Sequence, residues 1–381
     1  MSPLKIGLDA KRAYQNNTGL GNYSRALIEA LAKYYPQHEY LLFAPKHSQM
    51  FKEKDVPGTI FHGPQSAFER KLKGLWRSRW MTKDLIRENV DVYNGLSHEL
   101  PFGIHKTGIP SAVTMHDLIF ERYPKQYNPI DVFTYRRKAR YACNAADRVI
   151  AISEQTKEDL IQFYHVPSSK IDVVYQCCNP IFEAVWPAAA KASFRERYYL
   201  PHQYFLYVGS IIERKNLLGI IEAMHLLGDQ TDVPLVILGQ GTTYKKKVQA
   251  AAAEYGLQDR LIWINDTRKL AFHDVPALYQ CATGLIYPSL FEGFGIPILE
   301  ALWSKTPVIT SQGSCFSETG GNAAIYIDPL NHASIAEAMM SLLTDRDMAA
   351  DMTERGIMHA QKFSAQNFAK GVMNTLTAIK R

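Results

Sequence analysis

The sequence predicts an α/β protein built from two parallel-sheet domains, and three observations predict it. At 381 residues the chain is too long for one ordinary domain and long enough for two that each bury a core. Short apolar runs alternate with helical patterns along nearly all of it, which is the signature of parallel sheets covered on both faces. The alternation breaks once, over residues 179–200, and then restarts. In order, the strand-like runs before the break are "KIGLD", "YLLFAP", "DVYNGL", "SAVTMHD", "RVIAIS" and "IDVVY". Helical patterns such as "YSRALIEALAKYY" and "EQTKEDLIQFY" separate them. Pro180 and Pro187 mark the break, and a polar helix-like stretch follows. After it come "YFLYVGS", "PLVILGQ", "RLIWIND", "GLIYPS", "TPVITS" and "AAIYID". The boundary is expected near residue 185, and a cleft between two such domains is a natural ligand site.

Composition excludes several classes. With 46% hydrophobic and 21% charged residues the chain reads as a soluble globular protein. No apolar run is long enough to span a bilayer. The start "MSPLKIGLDAKRAY" goes straight into a strand and lacks a signal peptide's apolar core, so a cytoplasmic location is expected. Five cysteines without a CxxC suggest neither zinc nor a disulfide framework. The net charge of +6 is modest, but basic residues crowd residues 68–83 and 133–141. The first of these interleaves Trp76 and Trp80 with Arg70, Lys71, Lys73, Arg77, Arg79 and Lys83. It is either a basic helix resting on an anionic membrane surface or a solvated helix whose tryptophans belong to the core. No nucleic-acid signature accompanies it, so nucleic acid is not an expected partner.

The densest chemistry lies in "LFEGFGIPILEAL", residues 290–302. It follows the strand-like "GLIY", and Pro297 sits where a first-turn proline belongs, so the stretch reads as strand, loop, helix. The N–H groups of the helix start point into that loop with partial positive charge, a site suited to phosphate. Gly293 and Gly295 let a ligand approach the backbone closely. Carboxylates repel phosphate, so Glu292 and Glu300 are expected to face a sugar or ribose. The plainer alternative makes Glu300 a first-turn acid that offsets the helix dipole and Glu292 a solvated loop residue.

Other strand ends carry candidates. "YVGSIIERKN" presents Arg214 and Lys215 just beyond a strand that ends at Gly209, where two cations neutralise a diphosphate or simply meet solvent. "TGLGNYSR" places Gly19 and Gly21 between the first strand and a helix, as in a dinucleotide fingerprint. A dehydrogenase would also need an acid after the second strand, yet Ala44, Pro45 and Lys46 stand there. His116 with Asp117, and His98 with Glu99, end two more strands, each histidine either catalytic or a hydrogen-bonded structural residue.

Taken together, "TGLGNYSR", "GLSHELP", "MHDLIFERYP", "VIAISEQTKEDLI", "VGSIIERKN", "DVPALYQCA" and "SLFEGFGIPILEAL" resemble the retaining glycosyltransferases of family 4 over nearly the whole chain. The likeness is greatest to bacterial mannosyltransferase-like members that build surface polysaccharide. It implies the GT-B architecture, two Rossmann-like doubly wound domains facing across a cleft. It divides the chain into an acceptor-binding domain over 1–185, a donor-binding domain over 186–362 and a C-terminal helix over 363–381 that crosses back to the first. The last element matches the family's E-x7-E motif, in which the first glutamate, here Glu292, contacts donor-sugar hydroxyls and the second, Glu300, holds the ribose. The amides of Phe294, Gly295 and Ile296 would meet the sugar and diphosphate. Arg214 and Lys215 match the basic pair on the diphosphate, beside Gly209, although Ser210 stands where many members have arginine. His116 matches the histidine near the sugar's 6-hydroxyl and reaction centre, Gly19 and Gly21 the loop near phosphates and acceptor, and Asp266 and Thr267 the region of the base.

The implied activity is hexose transfer from a nucleotide-diphosphate sugar, with GDP-mannose as the first donor and UDP-sugars as the alternative, onto a saccharide or lipid-linked oligosaccharide. Retention would come from same-face attack, with the departing phosphate taking the acceptor's proton. No cofactor and no divalent metal are expected, because the cations and the helix N-terminus stabilise the leaving diphosphate. The rivals are a nucleotide-sugar epimerase of the same fold and a catalytically silent nucleotide-binding module.

Overall fold

In the computed structural model, which describes residues 2–267 and 270–380, the chain divides into two compact units. One comprises Met1–Cys177 with Phe363–Arg381, the other Cys178–Lys362. The division at Cys177 lies eight residues before the position near 185 expected from sequence. The physical reason is that the proline-rich stretch is not a free linker. Its turn Pro180–Glu183 and the helix Ala188–Tyr198 bury Phe182 and Phe194 in the second unit.

Among the described residues, the first unit holds a seven-stranded parallel sheet in the order β3-β2-β1-β4-β5-β6-β7. Its strands are β1 (Lys5–Asp9), β2 (Glu39–Phe43), β3 (Thr59–His62), β4 (Val92–Gly95), β5 (Ser111–Met115), β6 (Arg148–Ala151) and β7 (Ile171–Val173). Central strand β1 pairs Ile6 with Tyr40 on one side and Val92 on the other. Strands covered on both faces read as apolar runs without alternation, and "KIGLD", buried from Ile6 to Asp9, is one. The sequence reading missed β3 because "TIFH" is a partly exposed edge strand whose Ile60 is 45% accessible, so it lacks the continuous apolar signal. The C-terminal helix Ala365–Ile379 is N-capped by Ser364 and buries Phe368, Val372 and Leu376 in this unit. Phe368 meets the Tyr23 ring at 5.1 Å, and the Thr375 hydroxyl donates to Asp172 at 2.9 Å.

The second unit holds a six-stranded parallel sheet in the order β10-β9-β8-β11-β12-β13. Its strands are β8 (Phe205–Val208), β9 (Leu235–Leu238), β10 (Leu261–Trp263), β11 (Gly284–Tyr287), β12 (Val308–Ser311) and β13 (Ala324–Ile327). Its core, with Phe205, Ile220, Ile237, Ile286, Ile309 and Met339 at its centre, lies between the sheet and the helices Leu217–Leu227 and His332–Thr344. In both units the chain starts in mid-sheet and winds first to one side and then to the other. The strand order therefore reverses between β1 and β4 in one unit and between β8 and β11 in the other. Such switch points open a crevice beyond the carboxyl ends of the strands, where ligands of α/β sheets bind.

Candidate active site

At the β8/β11 switch point two loops meet. The loop after β8 turns through Glu213–Lys215, the loop after β11 runs over residues 288–295, and the Leu290 amide donates to the Arg214 carbonyl at 2.8 Å. Their side chains converge. Arg214 Nη1 and Lys215 Nζ each lie 2.7 Å from the same oxygen, Oε1 of Glu292. Arg214 also donates to the Phe291 carbonyl, and Lys215 to the Tyr287 hydroxyl at 2.5 Å. Burial works against the Glu292 charge, yet Lys215 and Arg214 offset it and hold the carboxyl below its ordinary range. Burial likewise lowers the Lys215 ammonium, with Glu292 pulling in the opposite sense. Two cations sharing one carboxylate leave a surplus of one positive charge in an 8%-exposed setting. A charge in so dry a place acts on a bound anion far more strongly than a surface lysine does. Glu292 is thus an ion-paired residue rather than the solvated loop acid of the plainer alternative, and one of its oxygens is already engaged by the cations.

The helix Ile296–Trp303 starts beside this triad. Gly295 caps it at φ +92°, a left-handed conformation that a side chain would strain, and Pro297 occupies the first turn. Phe294, Gly295 and Ile296 therefore sit where the chain enters the helix. Gly209 closes β8 at φ +148°, next to the Lys215 side chain. Glu300 is the fifth residue of the helix, not a first-turn acid, so the dipole reading of it fails. Its Oε2 accepts from the Tyr279 hydroxyl at 2.7 Å, and burial pushes its carboxyl up to about 7 against that hydrogen bond. Asp266 lies after β10, two strands away from β8. "RLIWIND" was expected to be strand throughout, but β10 ends at Trp263 and Ile264–Thr267 forms a helical turn. Asp266 there is exposed and pairs with Lys245, which lies over the Trp263 ring at 4.8 Å. The side chain of Thr267 lies outside the described residues.

The β1/β4 switch point of the first unit is built from different groups. His116 follows β5, and its Nε2 lies 2.8 Å from the Leu96 carbonyl, which only accepts. Nε2 therefore carries the proton, and the imidazole's lone pair is on Nδ1. His98, which the sequence reading left open, is the neighbour that matters. Its Nε2 accepts the His116 backbone N–H at 2.7 Å, and the two rings meet edge to face at 5.2 Å. His98 is held at φ +62°, uncommon for a residue with a Cβ. Burial lowers His116 to about 3 and His98 to about 4, so both are neutral near pH 7. Tyr23 packs against His116 at 4.5 Å and was also missed. No local motif announces either contact: His98 and His116 meet because β4 and β5 are neighbours in the sheet, and Tyr23 reaches His116 from the helix Gly19–Tyr34.

Beside the pair is a pocket of about 200 Å³ lined by Arg12, His98, Glu99, Asp117, Tyr127 and Tyr135, among others. Gly19 and Gly21 lie on its β1 side but not in a loop, since the helix Gly19–Tyr34 begins at Gly19. A Cβ at Gly21 would stand 1.9 Å from the Asn16 carbonyl oxygen, so that glycine serves close packing, while one at Gly19 would meet nothing within 4 Å. In the basic segment 68–83 the buried Trp76 fits the reading in which the tryptophans belong to the core, whereas the burial of Arg77 departs from both alternatives. Arg77 lies in a π-helical turn, Trp76–Trp80, and is 7% exposed. It grips Asp9 at 2.5 and 3.2 Å and Glu99 at 2.7 Å, while Lys138 reaches Glu99 at 3.2 Å. Burial opposes the guanidinium charge, but Asp9 and Glu99 raise its pKa above the ordinary value. Trp76 is fully buried and donates to Asp84 at 2.7 Å. Both residues thus belong to the interior; Phe68, Leu72 and Leu75 are the exposed apolar side chains of the segment. No helix among the described residues is long and apolar enough to cross a membrane.

Comparison with known proteins fits this geometry. The family model described as Glycosyltransferase Family 4 matches residues 17–180, and that of Glycosyl transferases group 1 matches residues 191–359. The O-antigen chain mannosyltransferase B of Escherichia coli is 27% identical over 377 residues, 94% of this chain and 95% of that protein. The O-antigen chain mannosyltransferase RfbU of Salmonella typhimurium is 24% identical over 98% of this chain and 99% of its own. Among solved structures, a glycosyltransferase from Rickettsia africae superposes with a TM-score of 0.77 at 18% identity, covering 100% of this chain and 99% of that one. Anabaena Alr3699/HepE, solved with UDP and glucose, gives 0.74 at 17% identity over 99% of this chain and 100% of its own. Those two share the fold, the GT-B pair of Rossmann-like domains. The chain is a glycosyltransferase and belongs to the group 1 glycosyltransferases of family 4.

Proposed function

We propose that this glycosyltransferase moves mannose from GDP-mannose, with retention of configuration, onto a saccharide or lipid-linked saccharide in surface polysaccharide synthesis. The observation that carries the donor half is the convergence of Arg214 and Lys215 on one oxygen of Glu292 beside the Gly295-capped helix. As the glycosidic bond breaks, negative charge grows on the diphosphate. A preorganised, water-poor cluster of two cations and a helix start stabilises that charge without an added metal ion. Glu292 keeps the cations together before the donor arrives and accepts from sugar hydroxyls once it is bound. Glu300 accepts from the ribose. The sugar assignment is supported by the O-antigen mannosyltransferases that the chain resembles over nearly all of its length.

The acceptor half belongs to the pocket of the first unit. Tyr127 and Tyr135 offer faces for a sugar ring, and Glu99 and Asp117 offer acceptors for its hydroxyls. His116, neutral and with its lone pair on Nδ1, accepts a hydrogen bond from a hydroxyl of the donor sugar instead of taking a full charge. A lipid-linked acceptor suits the exposed Phe68, Leu72 and Leu75 among the cations Arg70, Lys71 and Lys73, which would rest on an anionic membrane. Phe68→Ser with Leu72→Ser should then lower binding to anionic vesicles and leave transfer to a soluble acceptor unchanged.

The test is incubation with GDP-mannose and a mannose-terminated oligosaccharide, read by mass spectrometry. One added hexose is expected, and its loss in His116→Ala and Glu292→Ala with the fold intact. Transfer from UDP-sugars alone would overturn the donor assignment, and an altered sugar nucleotide without acceptor elongation would favour an epimerase.

A further inference from the structure

We propose that Tyr279 is a positioning residue of the donor site: its hydroxyl clamps one oxygen of the Glu300 carboxylate and so aims the other at the ribose hydroxyls. The inference rests on the reading of Glu300 as the ribose-binding residue. Tyr279 lies in the helix Val275–Gln280 and is fully buried. Its Oη donates to Glu300 Oε2 at 2.7 Å, while Oε1 has no hydrogen-bond partner among the described residues. A carboxylate fixed at one oxygen and open at the other is poised to accept a ligand's hydroxyl groups, because its second oxygen has both lone pairs to give.

Two contacts hold the tyrosine in place. The Tyr279 ring stands edge-on to Phe182, with centroids 5.6 Å apart. Its backbone carbonyl accepts from the Thr306 hydroxyl at 2.8 Å, and Thr306 lies in the turn after the helix Ile296–Trp303 that carries Glu300. Burial raises the phenol well above its ordinary pKa, so Tyr279 keeps its proton and stays a donor throughout the neutral range. Among the described residues, burial pushes the Glu300 carboxyl up and the Tyr279 hydrogen bond works in the opposite sense. Tyr279 is therefore the described group that favours the ionised, hydroxyl-accepting form of Glu300.

A purely structural tyrosine and a positioning tyrosine differ in pH dependence. A phenol that donates to a carboxylate favours its ionised form, so removing it raises the carboxyl pKa. Calorimetric titration of GDP-mannose, with UDP-glucose in parallel, across the neutral range should show the wild-type affinity rising with pH through about 7. Tyr279→Phe keeps the ring and its packing. It should move that midpoint upward and weaken binding about tenfold near neutrality, the size of one hydrogen bond to a charged group, with recovery at alkaline pH. An equal loss at every pH would overturn the proposal. In a Glu300→Gln background, Tyr279→Phe should change the affinity no further, and a second loss there would show that Tyr279 acts elsewhere. If Glu300→Gln alone leaves the affinity of both nucleotides unchanged, the ribose assignment itself fails, an outcome distinct from failure of the clamp.

Discussion

The two units share one plan and fill it with opposite chemistry. Each has a parallel sheet whose strand order reverses in the middle, and each places its candidate residues beyond the strand ends at that reversal. In the second unit the reversal holds charge: Arg214 and Lys215 each lie 2.7 Å from one oxygen of Glu292, beside a glycine-capped helix. In the first it holds a pair of histidines kept neutral by burial, next to a pocket with tyrosine walls. The fold alone thus decides where a ligand sits, and side chains decide which kind. In the proposed reading the charged triad would answer a diphosphate, and the neutral imidazoles and aromatic faces a sugar.

The comparison breaks most visibly where ions are buried for structure alone. Arg77→Ala would leave Asp9 and Glu99 without their shared cation in the interior, a loss of about 3–5 kcal/mol for a buried pair with one partner removed. Hydrogen exchange should show the loosening in the first unit only, and an unchanged first unit would contradict the network's role. Lys215→Ala should lower transfer by about 10²–10³-fold while the melting temperature changes little, since it removes one stabiliser of developing charge. A smaller effect than that of an ordinary surface lysine would mean the triad is not at the reacting phosphate.

A subtler difference is the response to acid. The histidines' folded pKa values lie below the unfolded 6.5, so the unfolded chain binds more protons. The first unit should therefore lose stability as the pH falls below 6.5, by up to about 1.4 kcal/mol per pH unit for each histidine. Glu300 has the reverse sign, with a folded value of about 7 above the unfolded 4.5, and its contribution favours the second unit as the pH falls across that window. Hydrogen exchange at stepped pH should separate the two units in this order. Least of all should happen on chelation, since EDTA is expected to leave transfer unchanged; loss of activity restored by a divalent cation would show that a metal shares the diphosphate's charge.

Much of this was legible in the sequence, for identifiable reasons. Strands buried on both faces are uninterrupted apolar runs and announced themselves, as did the partly exposed edge strands β7, β10 and β13; of the thirteen described strands only β3, with its exposed Ile60, did not. The loop over residues 288–295 was legible because glycine and proline at a strand-to-helix junction have local conformational causes. What escaped were contacts fixed by sheet order. His98 lies 18 residues from His116, Arg77 lies 68 from Asp9, and Tyr279 lies 21 from Glu300. Arg77 misled in a further way, since a buried arginine with two acids looks, in sequence, like any other basic surface residue. The proline break at 180 and 187 placed the boundary near 185, past the division after Cys177, because the stretch packs Phe182 and Phe194 into the second unit.

The central claim is that the charged reversal in the second unit holds the donor's diphosphate. Thermal unfolding with GDP-mannose, UDP-glucose and no ligand, in wild type and in Lys215→Ala, tests it most directly, because a ligand that binds the native state raises its melting temperature. A clear rise with GDP-mannose is expected in the wild type and its loss in Lys215→Ala. An undiminished rise in the variant would contradict that claim.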